Sequence, residues 1–287
     1  MSKNKYIVFT KPWKTCSLEE LGALVSDMGF DGVEYPLRDG FQVQPSDSAK
    51  GIKHLTSVLG TFGVSVDSIA GGLDVKYSYS SDNFGNKAVG LNNEDLFAGC
   101  GENGVKIIRI CQNLDRNLSF FENLDQIKRM YDAAVPYCEK YGVTVGVQMH
   151  CSASYGASIS SAAETYILLK DYNPKHIAAV WDAGHNGLAG TEPRFAIDNV
   201  WDMMCMVNFK AAYWKLKSQS NQYGEAQWDA YWTTAKNALG SWGEAVSHLK
   251  QRGYSGIVCT PAEYSDGENV EAYTREDLAY LKSLFDS

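Results

Sequence analysis

One phrase recurs along this chain: an amphipathic helical stretch, a glycine-containing turn, then a short run of apolar or β-branched residues. The first helix, over 17–28, opens on Ser17 with Glu20 three residues on, the spacing of a capping box. It ends in Gly29-Phe30-Asp31-Gly32, and Val33-Glu34-Tyr35 follows as a strand. A helical stretch near 47–61 leads through Gly63 into the strand Val64–Ile69. Gly104 precedes Val105–Ile110, Gly142 precedes Val143–Val147, and His176–Trp181 and Cys205–Val207 are further apolar runs. Gly253-Tyr254-Ser255-Gly256 leads into Ile257–Cys259. With Tyr6–Phe9 at the start, eight strand candidates alternate with helix-length segments.

Strands apolar on both faces, alternating with helices, predict a parallel sheet covered by helices. Eight such units over the whole length predict a closed (β/α)₈ barrel, an α/β fold, as a single domain over 1–287. A length of 287 residues would also admit two smaller domains, but no Pro/Ser/Gly linker or charge run marks a boundary. A doubly wound open sheet competes; no G-x-G-x-x-G or Walker lysine motif follows the first strand to support it.

Composition narrows the function. Lys and Arg number 26 against 34 Asp and Glu, a formal net charge of −8, which argues against a nucleic-acid binder. No apolar run is long enough for a membrane span, and no signal-peptide pattern opens the chain. Seven scattered cysteines without a C-x-x-C pair suit free thiols in a reducing compartment, so the expected location is cytoplasmic.

In a barrel of this kind chemistry sits at the C-terminal strand ends. There the sequence offers Glu34 (with Arg38 just beyond), Arg109, Gln148 and His150, Asp182 and His185, Asn208 and Lys210, and Glu263. Asp182 and His185 close an apolar strand and open a glycine-containing turn, so carboxylate and imidazole can both project into the barrel mouth to bind a metal or a hydroxyl-rich substrate. His54, His176 and His248 fall on helices or at a strand start and read as structural or solvated. No basic cluster marks a phosphate pocket. The aromatics Tyr213, Trp214, Tyr223, Trp228, Tyr231, Trp232 and Trp242 follow the seventh strand; they could stack on sugar faces, pack outer helices, or line the subunit interface of a homo-oligomer.

At these positions the sequence resembles the sugar phosphate isomerase/epimerase superfamily, the xylose-isomerase-like barrels. The carriers are Gly29-Phe30-Asp31-Gly32-Val33-Glu34, Asp182-x-x-His185, Asn208-Phe209-Lys210, and Gly253-Tyr254-x-Gly256-Ile257 leading to Glu263. The resemblance implies a divalent metal (Mn, Mg, Co or Zn), held here by Gln148, Asp182, Asn208 and Glu263. It also implies substrate contacts from His185 and Lys210; Glu34 and Arg109 are further substrate-binding candidates. Strict counting from Gly256 would place the last ligand at Pro261, with Glu263 the nearest carboxylate. The family glutamate of the fifth strand falls on Gln148, which cannot accept a proton, so a two-glutamate proton exchange is closed to this chain. A metal-free site, in which amides bind sugar hydroxyls, is the competitor.

The expected reaction is proton abstraction next to a carbonyl of a sugar or keto-sugar, an isomerase or epimerase, with Glu263 and His150 sharing the acid and base roles. A lyase eliminating a β-substituent from the same carbanion, and a non-catalytic sugar-binding relative, are the alternatives. An AP-endonuclease-like phosphodiesterase is disfavoured, because five histidines and an acidic chain supply neither a histidine-rich multi-metal cluster nor a basic DNA surface.

Overall fold

The computed structural model describes residues 4–71, 90–112, 114–151 and 158–287. Eight parallel strands close on themselves: β1 (Lys5–Phe9), β2 (Gly32–Pro36), β3 (Ser65–Ala70), β4 (Ile107–Cys111), β5 (Thr144–Gln148), β6 (Ile177–Asp182), β7 (Met204–Asn208) and β10 (Ile257–Thr260). The ring is sealed where β1 pairs with β10 and with β2, Tyr6 lying beside Val258 and Ile7 beside Gly32. Around it run α1 (Leu18–Asp27), α2 (Ser48–Gly60), α3 (Glu94–Glu102), α4 (Phe120–Tyr141), α5 (Ala162–Leu169), α6 (Ala183–Leu188), α7 (Pro193–Val200), α8 (Trp242–Gln251) and α9 (Val270–Asp286). Among the described residues no helix is long and apolar enough to cross a membrane.

The fold is the expected (β/α)₈ barrel. Ser17 caps α1 as read from the sequence: its side chain accepts from the Glu20 backbone N–H, and the Glu20 carboxylate reaches back to the Ser17 N–H at 2.7 Å. Strand alternation then divides the core. Val8, Val33, Val145, Trp181 and Val207 turn outward and pack under the helices, in a layer separate from the one inside the barrel. Ile7, Phe9, Ile107, Val180, Met206 and Cys259 turn inward and fill the barrel. The same inward rows continue upward into Glu34, Arg109, Gln148, Asp182 and Asn208, all buried. Apolar side chains therefore plug the barrel, and polar ones crown it.

One element escapes the apolar-run reading. After β7 the chain makes an antiparallel hairpin, β8 (Ala212–Leu216) and β9 (Trp228–Trp232), in which Ala212 lies beside Trp232. Its strands are mostly half-exposed and read as polar-aromatic, so neither a buried-strand nor a helix pattern picks them out.

Candidate active site

Four inward residues, on β2, β4, β5 and β6, form a chain of hydrogen bonds around the rim, with Ser68 of the intervening β3 joined to the first. The buried Glu34 accepts from Ser68 Oγ at 2.9 Å and from Arg109 Nε at 2.8 Å. Arg109 Nη1 donates to Gln148 Oε1, and Gln148 Nε2 donates to Asp182 Oδ2, each at 2.5 Å. Asp182 also caps α6, its Oδ1 accepting from the His185 backbone N–H at 3.0 Å. Burial pushes the Asp182 carboxyl above its usual value, with Lys210 and the His185 N–H pulling the other way. A glutamine between guanidinium and carboxylate has a physical reason: only an amide can offer oxygen to Arg109 and N–H to Asp182 at once.

Beside this chain lie two imidazoles. His185 Nδ1 accepts from the Cys151 backbone N–H at 3.1 Å, which leaves the ring proton on Nε2. The His150 ring stands 4.0 Å from it, centroid to centroid. Burial holds both neutral: His185 falls well below its ordinary value, and His150 is lowered to about 3 by burial and by the charge of Lys210. His150 Nδ1 and His185 Nε2 are buried without a hydrogen-bond partner among the described residues.

The third part is ionic. Glu263 accepts from Lys210 Nζ at 2.6 Å and from Lys11 Nζ at 2.5 Å. Burial alone would raise its carboxyl, but the two lysines hold it well below the carboxylate range. Glu263 follows Ala262, whose φ of 49° is the one positive value at a non-glycine among the described residues. That left-handed step costs about 1 kcal/mol and turns the chain just before Glu263. Lys210 also lies 3.8 Å above the Trp232 ring, which meets His185 edge-on at 5.0 Å. The hairpin thus delivers one aromatic to the site. Trp242 instead packs on Phe209, and Trp214 bonds the Leu188 carbonyl.

All the residues singled out at the strand ends converge on this mouth, while the three other histidines do not. His248 bonds Asp198 at 2.7 Å, His176 lies 3.8 Å from Glu139, and His54 sits exposed on α2. Lys11 was missed, although it stands two residues beyond β1 and the strand-end rule reaches it. Basic side chains that no local sequence pattern joins also gather here: Lys11, Arg38, Arg109 and Lys210 come from four separate strand ends. Their spacing of up to 199 residues hides them from any local pattern.

The four candidate metal ligands do not fit a divalent ion as they stand. Both Glu263 oxygens face ammonium groups, Gln148 Oε1 faces a guanidinium, and both Asp182 oxygens accept N–H bonds. Of these four ligands' oxygens, Asn208 Oδ1 alone is buried and without a hydrogen-bond partner among the described residues. No group of three or more His, Cys, Asp or Glu that could hold a metal occurs among the described residues.

The family model described as xylose isomerase-like TIM barrel matches residues 23–284. The chain belongs to this family. No curated protein matches it in sequence. Among solved structures it is similar to a D-psicose 3-epimerase crystallised in the presence of D-fructose, at 12% identity and TM-score 0.70 over 99% of this chain and 100% of that one. It is also similar to the 3-keto-D-glucoside 4-epimerase YcjR of E. coli, at 16% identity and TM-score 0.67 over 98% and 100%. A third is the probable 3-DHS dehydratase AsbF of Bacillus anthracis, at 13% identity and TM-score 0.67 over 97% and 98%. At these identities the likeness is one of fold.

Proposed function

We propose that this xylose isomerase-like barrel is an enzyme that moves a proton between adjacent carbons of a sugar or keto-sugar, by way of an enediolate. The observation that carries the reading is His150: a neutral imidazole in the barrel mouth, its Nδ1 unpartnered, beside the Lys210–Glu263 ion pair. His150 takes the proton from the carbon next to the carbonyl. Lys210, fixed on Glu263, and Arg109, fixed on Glu34, stabilise the negative oxygen that develops. Burial, and after it the charge of Lys210, keeps His150 neutral in the free protein; the negative charge of the enediolate offsets the cationic share, which makes the imidazolium more accessible as the enediolate forms. His150 then returns its proton to the former carbonyl carbon, while the hydroxyl proton passes across the cis-enediolate from the oxygen that becomes the new carbonyl to the former carbonyl oxygen; His185 Nε2–H is available to bond a substrate oxygen.

Inversion at one carbon needs a proton carrier on each face. Glu263 is engaged on both oxygens and Gln148 carries no exchangeable acid, so transfer by a single carrier, an aldose–ketose type isomerisation, is favoured over epimerisation. The same single carrier favours a second reading, elimination of a β-substituent such as water, in keeping with the word dehydratase in the name of the Bacillus anthracis neighbour.

The residues present supply the charge stabilisation themselves, and no step needs a divalent ion. Incubation with keto-sugars in D₂O, followed by NMR, tests the reading. Deuterium at the carbon next to the carbonyl, together with an isomeric product, is the expected result; loss of a β-substituent would select the lyase. Absence of exchange with every sugar that binds would overturn the enolisation mechanism. His150→Gln should lower the exchange rate by about 10²- to 10⁴-fold, the ordinary worth of a general base, and prior dialysis against a chelator should leave the rate unchanged.

A further inference from the structure

Isomerisation moves two protons, and His150 carries only the one between carbons. The other moves between oxygens: the hydroxyl that becomes the new carbonyl loses a proton, and the former carbonyl oxygen gains one. In a cis-enediolate the two oxygens lie side by side, so one group within hydrogen-bond reach of both, about 3 Å, can serve them. That group has to give a proton and take one back. Among the described residues of the mouth, most are unsuited to this. Glu263 turns both oxygens to ammonium groups, and both Asp182 oxygens accept N–H bonds. Glu34 Oε2 and Asn208 Oδ1 are buried and unpartnered, but a carboxylate and an amide oxygen only accept. The Arg109 guanidinium does not release a proton, and the Cys111 thiol faces Gln148 Oε1 at 3.4 Å.

His185 meets the requirement. Its ring is fully buried, held between the His150 ring, 4.0 Å away centroid to centroid, and the edge of Trp232 at 5.0 Å. The Cys151 backbone N–H donates to Nδ1 at 3.1 Å, so Nδ1 presents its lone pair and Nε2 carries the ring proton. Nε2 is buried with no hydrogen-bond partner among the described residues. A buried N–H left unpaired is costly, and a ligand oxygen is the partner that would satisfy it. Burial, then His150, Lys210 and Arg109, hold His185 well below its ordinary value. The ring therefore meets the substrate as a neutral imidazole. An imidazolium would hand its proton over and keep no tendency to recover it; a neutral imidazole is a weak acid, closer in strength to an enediol hydroxyl, so the proton passes both ways.

Resting on the enolisation reading above, we infer that His185 is a second catalytic residue, a neutral imidazole whose Nε2 carries the hydroxyl proton from one substrate oxygen to the other. Nε2–H first bonds the substrate's carbonyl oxygen. As His150 removes the carbon proton, the C–H electron pair forms the C=C bond and the carbonyl π pair moves onto its oxygen. That oxygen takes the Nε2 proton, which leaves an imidazolate. Nε2 then takes the proton of the neighbouring hydroxyl, whose oxygen becomes the new carbonyl as His150 delivers its proton to the former carbonyl carbon. The ring ends as it began. Its transient negative charge is stabilised by the Cys151 N–H at Nδ1 and by the charges of Lys210 and Arg109.

The test uses the full chain in D₂O with D-fructose, D-psicose, D-xylulose and D-ribulose, and follows two rates by NMR: deuterium entering recovered substrate, and isomer formed. His185→Gln keeps an N–H donor but has no ring to shuttle a proton. Both rates should fall, isomer formation at least about tenfold further than exchange, because enediolate that cannot move its oxygen proton returns to substrate. Equal losses of the two rates would reduce His185 to a binding or packing role and overturn the shuttle. Exchange without isomer in the parent protein removes the shuttle and leaves the enolisation, whereas no exchange in the parent with any of the four sugars removes the enolisation and the shuttle with it. If the variant does not fold, the parent labelled with ¹⁵N-histidine decides. His185 should be neutral with its proton on Nε2 at both pH 6 and pH 8, and an imidazolium or an Nδ1–H tautomer at either pH would overturn the proposal.

Discussion

Gln148 shows how one atom pair sets the character of the site. Its amide lies between Arg109 Nη1 and Asp182 Oδ2, giving an acceptor to one and a donor to the other. Gln148→Glu removes the donor and sets two carboxylates at hydrogen-bond distance inside the barrel, where both cannot ionise. The variant should lose about 1–3 kcal/mol of stability at pH 7.5, part of it offset by Arg109. Like charge raises a carboxyl pKa, so the deficit is largest above that raised value and shrinks as pH falls toward 5. Urea unfolding of both proteins at pH 5 and pH 7.5 measures it, and a gap of equal size at both pH values would refute the account. The sequence shows that residue 148 is an amide, which already closes a two-glutamate route. It does not show which way the amide faces, because that is decided by Arg109, 39 residues earlier, and Asp182, 34 residues later.

The strands were the most legible elements. All eight apolar runs became barrel strands, with ends shifted by one or two residues, because burial on both faces leaves a continuous apolar signature. Position at a strand end also brought Glu34, Arg109, Gln148, Asp182 and Asn208 to one rim, since alternation turns them inward above the apolar plug. The β8–β9 hairpin was not legible, and with it the placing of Trp232 on Lys210. Nor were the pairings of Lys11 and Lys210 with Glu263, which join residues 252 and 53 apart. Alternation carries a steric consequence in β5. Gly146 turns inward, and a Cβ there would lie 2.8 Å from Val180 Cγ2, 3.1 Å from Ile107 Cγ2 and 3.2 Å from Cys205 Sγ. Gly146→Ala should therefore cost about 1–3 kcal/mol through overpacking, against the usual gain from replacing a strand glycine. Adding Val180→Ala should recover part of the loss in a double-mutant cycle. A single variant as stable as the parent would mean that the barrel interior is looser than these contacts require.

At the scale of the whole molecule, the last helix ties the barrel's end to the loops that build the site. In α9, Asp277 accepts the Ala235 backbone N–H and the Tyr264 hydroxyl, each at 2.9 Å. Ala235 lies three residues beyond Trp232, and Tyr264 follows Glu263, so one carboxyl braces both of these loops of the candidate site. The Asp277 side chain is 3% exposed, and burial raises its carboxyl to about 6 from 3.8. A carboxyl raised in the folded state favours folding in its protonated form. Its contribution is fully present below pH 3.8 and is lost as pH climbs through 6, a swing of up to about 3 kcal/mol. Asp277→Asn keeps an oxygen for the Ala235 N–H, turns its amide toward the Tyr264 oxygen, and carries no charge to bury. The variant should therefore exceed the parent in stability by about 1–2 kcal/mol at pH 8, with the advantage fading to nothing near pH 4. Thermal melts of both proteins across that range test the brace. A variant less stable than the parent at pH 8 would mean that the ionised carboxylate holds the two loops better than burial allows, and the sign of the effect would be reversed.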